Sequence, residues 1–412
     1  MGADRSGTIA MQPVAPGQRI VEVDIVRGFA LFGVLLVNMY SFGADSIAWN
    51  GGADRAARTL MHLLFDSKFW TLFSLLFGFG LALQLQKFSH RPSLATALML
   101  LRRLLFLFVI GMGHALFYEG DILMLYAETG LILLFIHRLP KRWLVILALS
   151  LLMVFPIAHW LQPGRDAEPA PTSVIEAQQE LLLERETSVY ATGSLQDIFA
   201  YHAEVIPENP LAEYLWPDSG LAVLALFIFG LLVGRTNILR DVPAHAASIA
   251  KARALGLSVG ILAMGAEWAL SIFTGYDLYH PSGDNRAVQC IGDLLFVLGS
   301  VSLATGYAAS LILWAQKPLG RTLLLPLASA GRLALSVYLT QSLIFTTLFH
   351  GYGLGLAYRL GPLAVTVAAI LIFSVQVMLS HWWLRHFRFG PFEWLWRSFT
   401  YLHWQALKRN SV

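Results

Sequence analysis

The sequence predicts an all-α, polytopic membrane protein with about ten transmembrane helices. Three observations carry the prediction. Only 13% of the 412 residues are Asp, Glu, Lys or Arg, where a soluble globular chain carries about 25%. Apolar runs long enough to cross roughly 30 Å of hydrocarbon recur along the whole chain. The Lys and Arg residues alternate from one connecting segment to the next, as the positive-inside rule requires. A soluble helical enzyme would need polar faces on its helices, and most of these runs have none.

Residues 1–20, MGADRSGTIAMQPVAPGQRI, hold neither the apolar core nor the cleavage pattern of a signal peptide, and read as a short flexible tail. Spans follow at roughly 25–44, 69–87, 99–118, 120–137 and 143–161, then 218–235, 253–274, 290–315, 329–349 and 362–384. Only Tyr118 to Asp121 separate the third and fourth, which predicts a tight antiparallel hairpin. With the N-terminus in the cytoplasm, inside segments and their adjoining span ends hold 22 of the 29 Lys and Arg residues. Both termini then lie inside, as expected for a bacterial inner-membrane protein.

The chain divides into 1–161 (spans one to five), 162–217 (an acidic extracytoplasmic loop or cap), 218–385 (spans six to ten) and 386–412 (a cytoplasmic amphipathic tail). Segment 162–218 carries 11 acidic residues against Arg165 and Arg185. It reads either as a solvated cap or as a lid over a cavity, and its charge would discourage anionic substrates at that mouth. The Trp-rich stretch 389–404 reads as an amphipathic anchor on the cytoplasmic face.

Ionisable side chains in hydrocarbon need a partner or a water-filled cavity. Asp24 and Arg27 lie one turn apart at the start of the first span, and Gly28 admits a close neighbour. The pair is either a local ion bridge or an anion-holding fork that Asp24 orients. Asn38, about three turns deeper, is a further polar group needing company. In the third span, Arg103 and His114 are about 16 Å apart along the axis, half a membrane. His114 can act as a general base, with Glu119 or Asp121 fixing its tautomer, or it can be a structural histidine paired with Asp121. Arg332, on the ninth span with Ser336 and Gln341, lies near the inner surface and could join Arg27 and Arg103 around an anionic group. Glu128, Glu267 and Asp293 are further polar positions inside spans.

No metal site is expected: His280 and Asp284 are spaced four apart, but nothing nearby completes a ligand set. The lone cysteine, Cys290, excludes an internal disulfide. Scattered basic and aromatic residues at span ends are interface anchors, not a nucleic-acid surface.

Four stretches in order, DIVRGFALFGVLLVN (24–38), HALFYEGDILMLYAETG (114–130), GRLALSVYLTQS (331–342) and FGPFEWLWR (389–397), resemble the YeiB-like bacterial inner-membrane proteins, a family of unknown function. More remotely, the DIVRG start and the arginine–histidine spacing are similar to the transmembrane acyltransferases. That resemblance implies a ten-helix core that takes an acyl group from cytoplasmic acyl-CoA or acetyl-CoA and serves an acceptor on the far side. It implies donor binding by Arg27, Arg103 and Arg332, with Asp24 and Asn38 alongside, and His114 as base with Asp121 and Glu119. The expected partners are the bilayer and a lipid or cell-envelope acceptor, with the oligomeric state, a homodimer included, left open. A small-molecule transporter using the same polar groups and a noncatalytic scaffold or sensor are the alternatives.

Overall fold

Two helices that meet without side chains between them set the core of the protein. In the computed structural model, residues 19–409 are described except 43, 45–48, 50, 89–92, 162–183, 206–219, 276–277 and 279–284. Parts of the acidic segment (162–183 and 206–217), the N-terminal tail 1–18, His280 and Asp284 therefore lie outside the described residues. The helices are α1 (Val21–Tyr40), α2 (Gly52–Leu64), α3 (Lys68–Lys87), α4 (Ser93–Ala115), α5 (Leu123–Ile136), α6 (Lys141–Leu161) and α7 (Leu195–Val205). They continue with α8 (Gly220–Gly234), α9 (Ala246–Thr274), α10 (Arg286–Ala315), α11 (Pro318–Arg332), α12 (Ala334–Phe349), α13 (Pro362–His386) and α14 (Pro391–Tyr401). Residues 184–192 are also helical, and one isolated antiparallel bridge joins Phe387 to Lys408.

The chain is an all-α polytopic membrane protein. Among the described residues, six helical segments are long and apolar enough to cross a membrane, or seven if the bent pair α11–α12 counts as one. Each of the ten expected spans falls on a helix, but α5 and α8 are short, at 14 and 15 residues. α1 has 20 residues and packs against α3, α10, α11, α12 and α13. Its apolar residues Leu31, Leu35 and Met39 are wholly buried, so it is an interior helix surrounded by protein. α4 and α5 pack as the expected hairpin.

Three features depart from the sequence reading. The expected ninth span, 329–349, is not one rod: α11 and α12 meet at Leu333 with an 80° bend. A break there leaves the first N–H groups of α12 without intrahelical partners. The Glu393 carboxylate accepts from Leu335 N at 2.6 Å and from Ser336 N at 2.9 Å, and so offsets that loss. Residues 317–328, expected in an inside segment, form most of α11, which packs on α1. Finally, an amphipathic helix, α2, occupies 52–64, where only a loop was expected.

Candidate functional site

The crossing of α1 and α11 places the first two arginines. A Cβ on Gly28 would run into the Leu327 carbonyl, and one on Gly331 into the Asp24 carbonyl. Only glycine at both positions lets the backbones approach this closely. Arg27 and Arg332, their sequence neighbours, are thereby carried to the same cavity wall. Arg27 Nη1 donates to Asp24 Oδ1 at 3.0 Å, so Asp24 holds one edge of the guanidinium while Arg27 still lines the cavity.

α4 and α14 supply the next two. The Arg103 guanidinium lies over the Trp396 ring, and the indole N–H of Trp396 donates to the Arg103 carbonyl at 2.7 Å. The next residue of α14, Arg397, lines the same cavity. Burial and the positive charge of Arg19 both push the Arg397 guanidinium down from its ordinary range, with Tyr401, Glu393 and Asp24 working the other way. Burial pushes the Glu393 carboxyl up, against the hydrogen bonds it receives from Ser336 and Leu335.

The cavity has a volume of about 250 Å³. Four arginines, Arg27, Arg103, Arg332 and Arg397, line it, with one acidic residue, Glu393. Two buried polar atoms of lining residues, Arg332 Nε and Gln84 Oε1, lack a hydrogen-bond partner among the described residues. Buried polar groups are ordinarily satisfied, so the cavity lining is chemically incomplete: the Arg332 N–H and the neighbouring arginines suit an anion, and the Gln84 oxygen needs a donor. Tyr126, Ile122, Leu123 and Tyr338 also line it.

Behind Tyr338 lies the histidine. The His114 and Tyr338 ring centroids are 5.0 Å apart. His114 Nδ1 is 2.6 Å from Asp121 Oδ1, and its Nε2 is 2.7 Å from Ser342 Oγ. The second Asp121 oxygen accepts from Met124 N at 2.9 Å. Gly111 makes room for this turn, because a Cβ there would meet Met124 N at 2.7 Å and Asp121 Oδ2 at 2.9 Å. His114 is 6% exposed and does not itself line the cavity. Tyr338 touches both, lining the cavity and packing on the His114 ring.

A family described as "Protein of unknown function (DUF418)" matches residues 233–403, which run from the end of α8 to just past α14. A Bacillus subtilis protein, "Uncharacterized protein YxaH", is 30% identical over 431 aligned positions covering 98% of this chain and 99% of its own. The chain belongs to the DUF418 family. "Uncharacterized protein YeiB" of Escherichia coli K12 is 29% identical, over 93% of this chain and 96% of its own length. A Bacillus acidopullulyticus relative, "Uncharacterized 39.9 kDa protein in amylase 3'region", is 27% identical over 95% and 96%.

In this DUF418 protein the structure brings together three of the arginines singled out in the sequence, Arg27, Arg103 and Arg332, with Asp24 behind the first. It also pairs His114 with Asp121. Two candidates stand apart. Asn38, eleven residues beyond Arg27, is half-buried and is not part of the cavity wall. Glu119 is exposed and hydrogen-bonds to Tyr190 of the outer segment, because the chain has already left α4 there and turned outward. Gln341 links Leu31 and Gln376 inside the bundle.

Arg397, Trp396, Glu393, Tyr338 and Ser342 were not among the sequence candidates. Stretch 389–397 read as a membrane anchor, yet Glu393, Trp396 and Arg397 are built into the cavity wall. The signal that could have found these five was present: each lies in one of the two later stretches that carry the family resemblance. Among the described residues, no group of three or more His, Cys, Asp or Glu side chains is arranged to hold a metal ion.

Proposed function

We propose that the protein is an acyl-CoA-dependent acyltransferase of the bacterial inner membrane, with both termini in the cytoplasm. It would move an acyl group to a hydroxyl or amine acceptor, a lipid or cell-envelope component, at the extracytoplasmic side. One observation carries the proposal: a single cavity joins four guanidinium groups to Tyr338, the ring that covers His114. The phosphates of CoA match such a cluster. The cavity, at about 250 Å³, falls below the roughly 300–1,000 Å³ of a full ligand pocket. It suits the slender thioester arm, with the nucleotide held at the mouth.

The distribution of Lys and Arg supports a cytoplasmic position for the guanidinium end. Asp121, by accepting from His114 Nδ1–H, leaves the Nε2 lone pair, which faces Ser342 Oγ at 2.7 Å, to take a proton, as general base catalysis requires. Tyr338 must swing aside for the thioester to arrive. The arginines contribute by holding and orienting the donor. Glu128, Glu267 and Asp293, on which a proton-coupled transporter would draw, are outside the cavity lining, and Glu267 is 3.2 Å from His62 instead.

The test uses full-length protein in nanodiscs with labelled acetyl-CoA and palmitoyl-CoA. Thioester loss that His114→Ala abolishes, with donor binding retained, is the expected result. Arg103→Ala should weaken donor binding by about 1 kcal/mol or more. Saturable solute flux without thioester loss would replace this reading with transport.

A further inference from the structure

We propose that Ser342 is the nucleophile of this site and carries the acyl group as an ester between donor and acceptor. The inference rests on the acyl-transfer reading above and adds a covalent step to it.

The hydrogen bonds leave His114 little choice. Both Asp121 oxygens accept, Oδ1 from the ring and Oδ2 from Met124 N–H. Nδ1 of His114 therefore carries the hydrogen, and Nε2 presents a lone pair. That lone pair is already engaged by the Ser342 hydroxyl at 2.7 Å. An acceptor hydroxyl cannot reach Nε2 while Ser342 occupies it, so the first proton His114 can take is that of Ser342. Serine to imidazole to carboxylate, each link at 2.6–2.7 Å, is the arrangement that activates a hydroxyl for attack.

Among the described residues the Ser342 hydroxyl has one other partner, the Tyr338 carbonyl one turn back, at 3.3 Å. Serines inside helices commonly make such a bond, and here it is the longer of the two. The serine is 1% exposed. It stands one turn, about 6 Å, beyond Tyr338, which lines the cavity. A thioester passing that ring meets the Ser342 hydroxyl together with the imidazole.

The chemistry balances in two half-reactions. In the first, the Ser342 proton passes to His114 Nε2 while Oγ bonds to the thioester carbonyl carbon. The carbon–sulfur bond breaks, and the CoA sulfur leaves with the proton from His114. In the second, an acceptor hydroxyl or amine gives its proton to Nε2 and attacks the serine ester. The carbon–Oγ bond breaks, and Oγ recovers the proton. One thioester becomes one free thiol and one ester or amide, with no change of oxidation state. Asp121 stays unprotonated throughout and orients the ring.

The experiment is to mix the full-length protein in nanodiscs with acyl-labelled acetyl-CoA or palmitoyl-CoA, with no acceptor added. Thiol release and intact-protein mass are then followed. The expected result is a burst of one thiol per chain and one acyl group, mapped to the peptide that contains Ser342. Ser342→Ala should lose the adduct and slow thioester loss at least about a hundredfold. Ser342→Cys should restore an adduct, now a thioester that hydroxylamine cleaves quickly, and this shows that the site is still folded. A cell-envelope lipid extract is then added as acceptor. Sustained thioester loss in Ser342→Ala, abolished in His114→Ala, would overturn the serine ester and leave direct transfer standing, as would an unsubstituted protein that loses thioester only once the extract is present. No thioester loss from the unsubstituted protein with either donor and the extract would overturn both readings.

Discussion

The guanidinium carbon of Arg103 stands 3.6 Å from the centre of the Trp396 ring, although 293 residues separate the two in sequence. A desolvated cation–π contact of this kind contributes about 2 kcal/mol, and the indole hydrogen bond to the Arg103 carbonyl ties α14 to α4. Trp396→Ala is expected to weaken acetyl-CoA binding roughly tenfold, measured by titration calorimetry. Arg103→Lys should fall between Trp396→Ala and the unsubstituted protein, because an ammonium keeps the charge and loses the planar stack.

Gly28 and Gly331 hold the cavity wall together from behind. Gly28→Val places a side chain against the Leu327 backbone, which the two helices can accommodate only by separating. The expected cost is about 1–3 kcal/mol, seen as a lower thermal midpoint in detergent. Donor binding should fall with it, since Arg27 and Arg332 then drift apart. Gly113→Ala is the matched control, because nothing lies within 4 Å of a Cβ at that position.

Glu393 acts as a cap supplied from another helix. Its Oε1 accepts from Leu335 N and Ser336 N, and its Oε2 accepts from Ser336 Oγ at 2.5 Å. Glu393→Ala should destabilise the protein by about 2 kcal/mol, the upper end for a lost N-cap. Glu393→Gln keeps an acceptor for both backbone N–H groups and should recover most of that. Hydrogen exchange at Leu335 and Ser336 checks the mechanism directly.

The outer helical segment 184–192 carries a pH response. Burial, and then the neighbouring Glu119 charge, push the Glu186 carboxyl up to about 7 from 4.5. The folded state therefore holds this proton more tightly than the unfolded one, and stability falls as pH rises from about 4.5 to about 7. The segment should become more sensitive to limited proteolysis across that window. Glu186→Gln should make the sensitivity independent of pH there.

Tyr338 is expected to matter as a ring and not as a phenol. Its hydroxyl reaches the Gly120 carbonyl only at 3.5 Å, the outer limit of a hydrogen bond, and it also accepts from the Ile122 backbone N–H. Tyr338→Phe should leave acetyl-CoA thioester loss nearly unchanged. Tyr338→Ala removes the barrier between cavity and His114 and should raise thioester loss in the absence of acceptor, followed with a thiol reagent.

Much of the architecture was readable along the chain, because burial in lipid imposes long apolar runs whatever the helices pack against. The ten expected spans all fall on helices, and the α4–α5 hairpin follows from the short link expected at Tyr118 to Asp121, which in the structure runs over residues 116–122. The break at Leu333 was hidden: residues 329–349 are apolar enough for one rod, and its stabilising cap arrives from Glu393, more than fifty positions away. In the site, the arginines and His114 stood out as ions in an apolar setting. Ser342 did not, since a serine inside a membrane helix usually bonds to its own backbone.

The sequence by itself determined that the chain is a helical membrane protein, that Lys and Arg are unevenly shared among the segments between its apolar runs, and that His114 lies about half a membrane from Arg103. These are properties of single helices, set by hydrophobicity, charge and a rise of 1.5 Å per residue. Tertiary structure alone decided that Arg27, Arg103, Arg332 and Arg397 share one cavity, that Asp121 and not Glu119 reaches His114, and that Ser342 meets Nε2. Those outcomes depend on which helix faces touch and how closely, and the contacts that set them, at Gly28–Gly331 and Arg103–Trp396, join residues hundreds of positions apart.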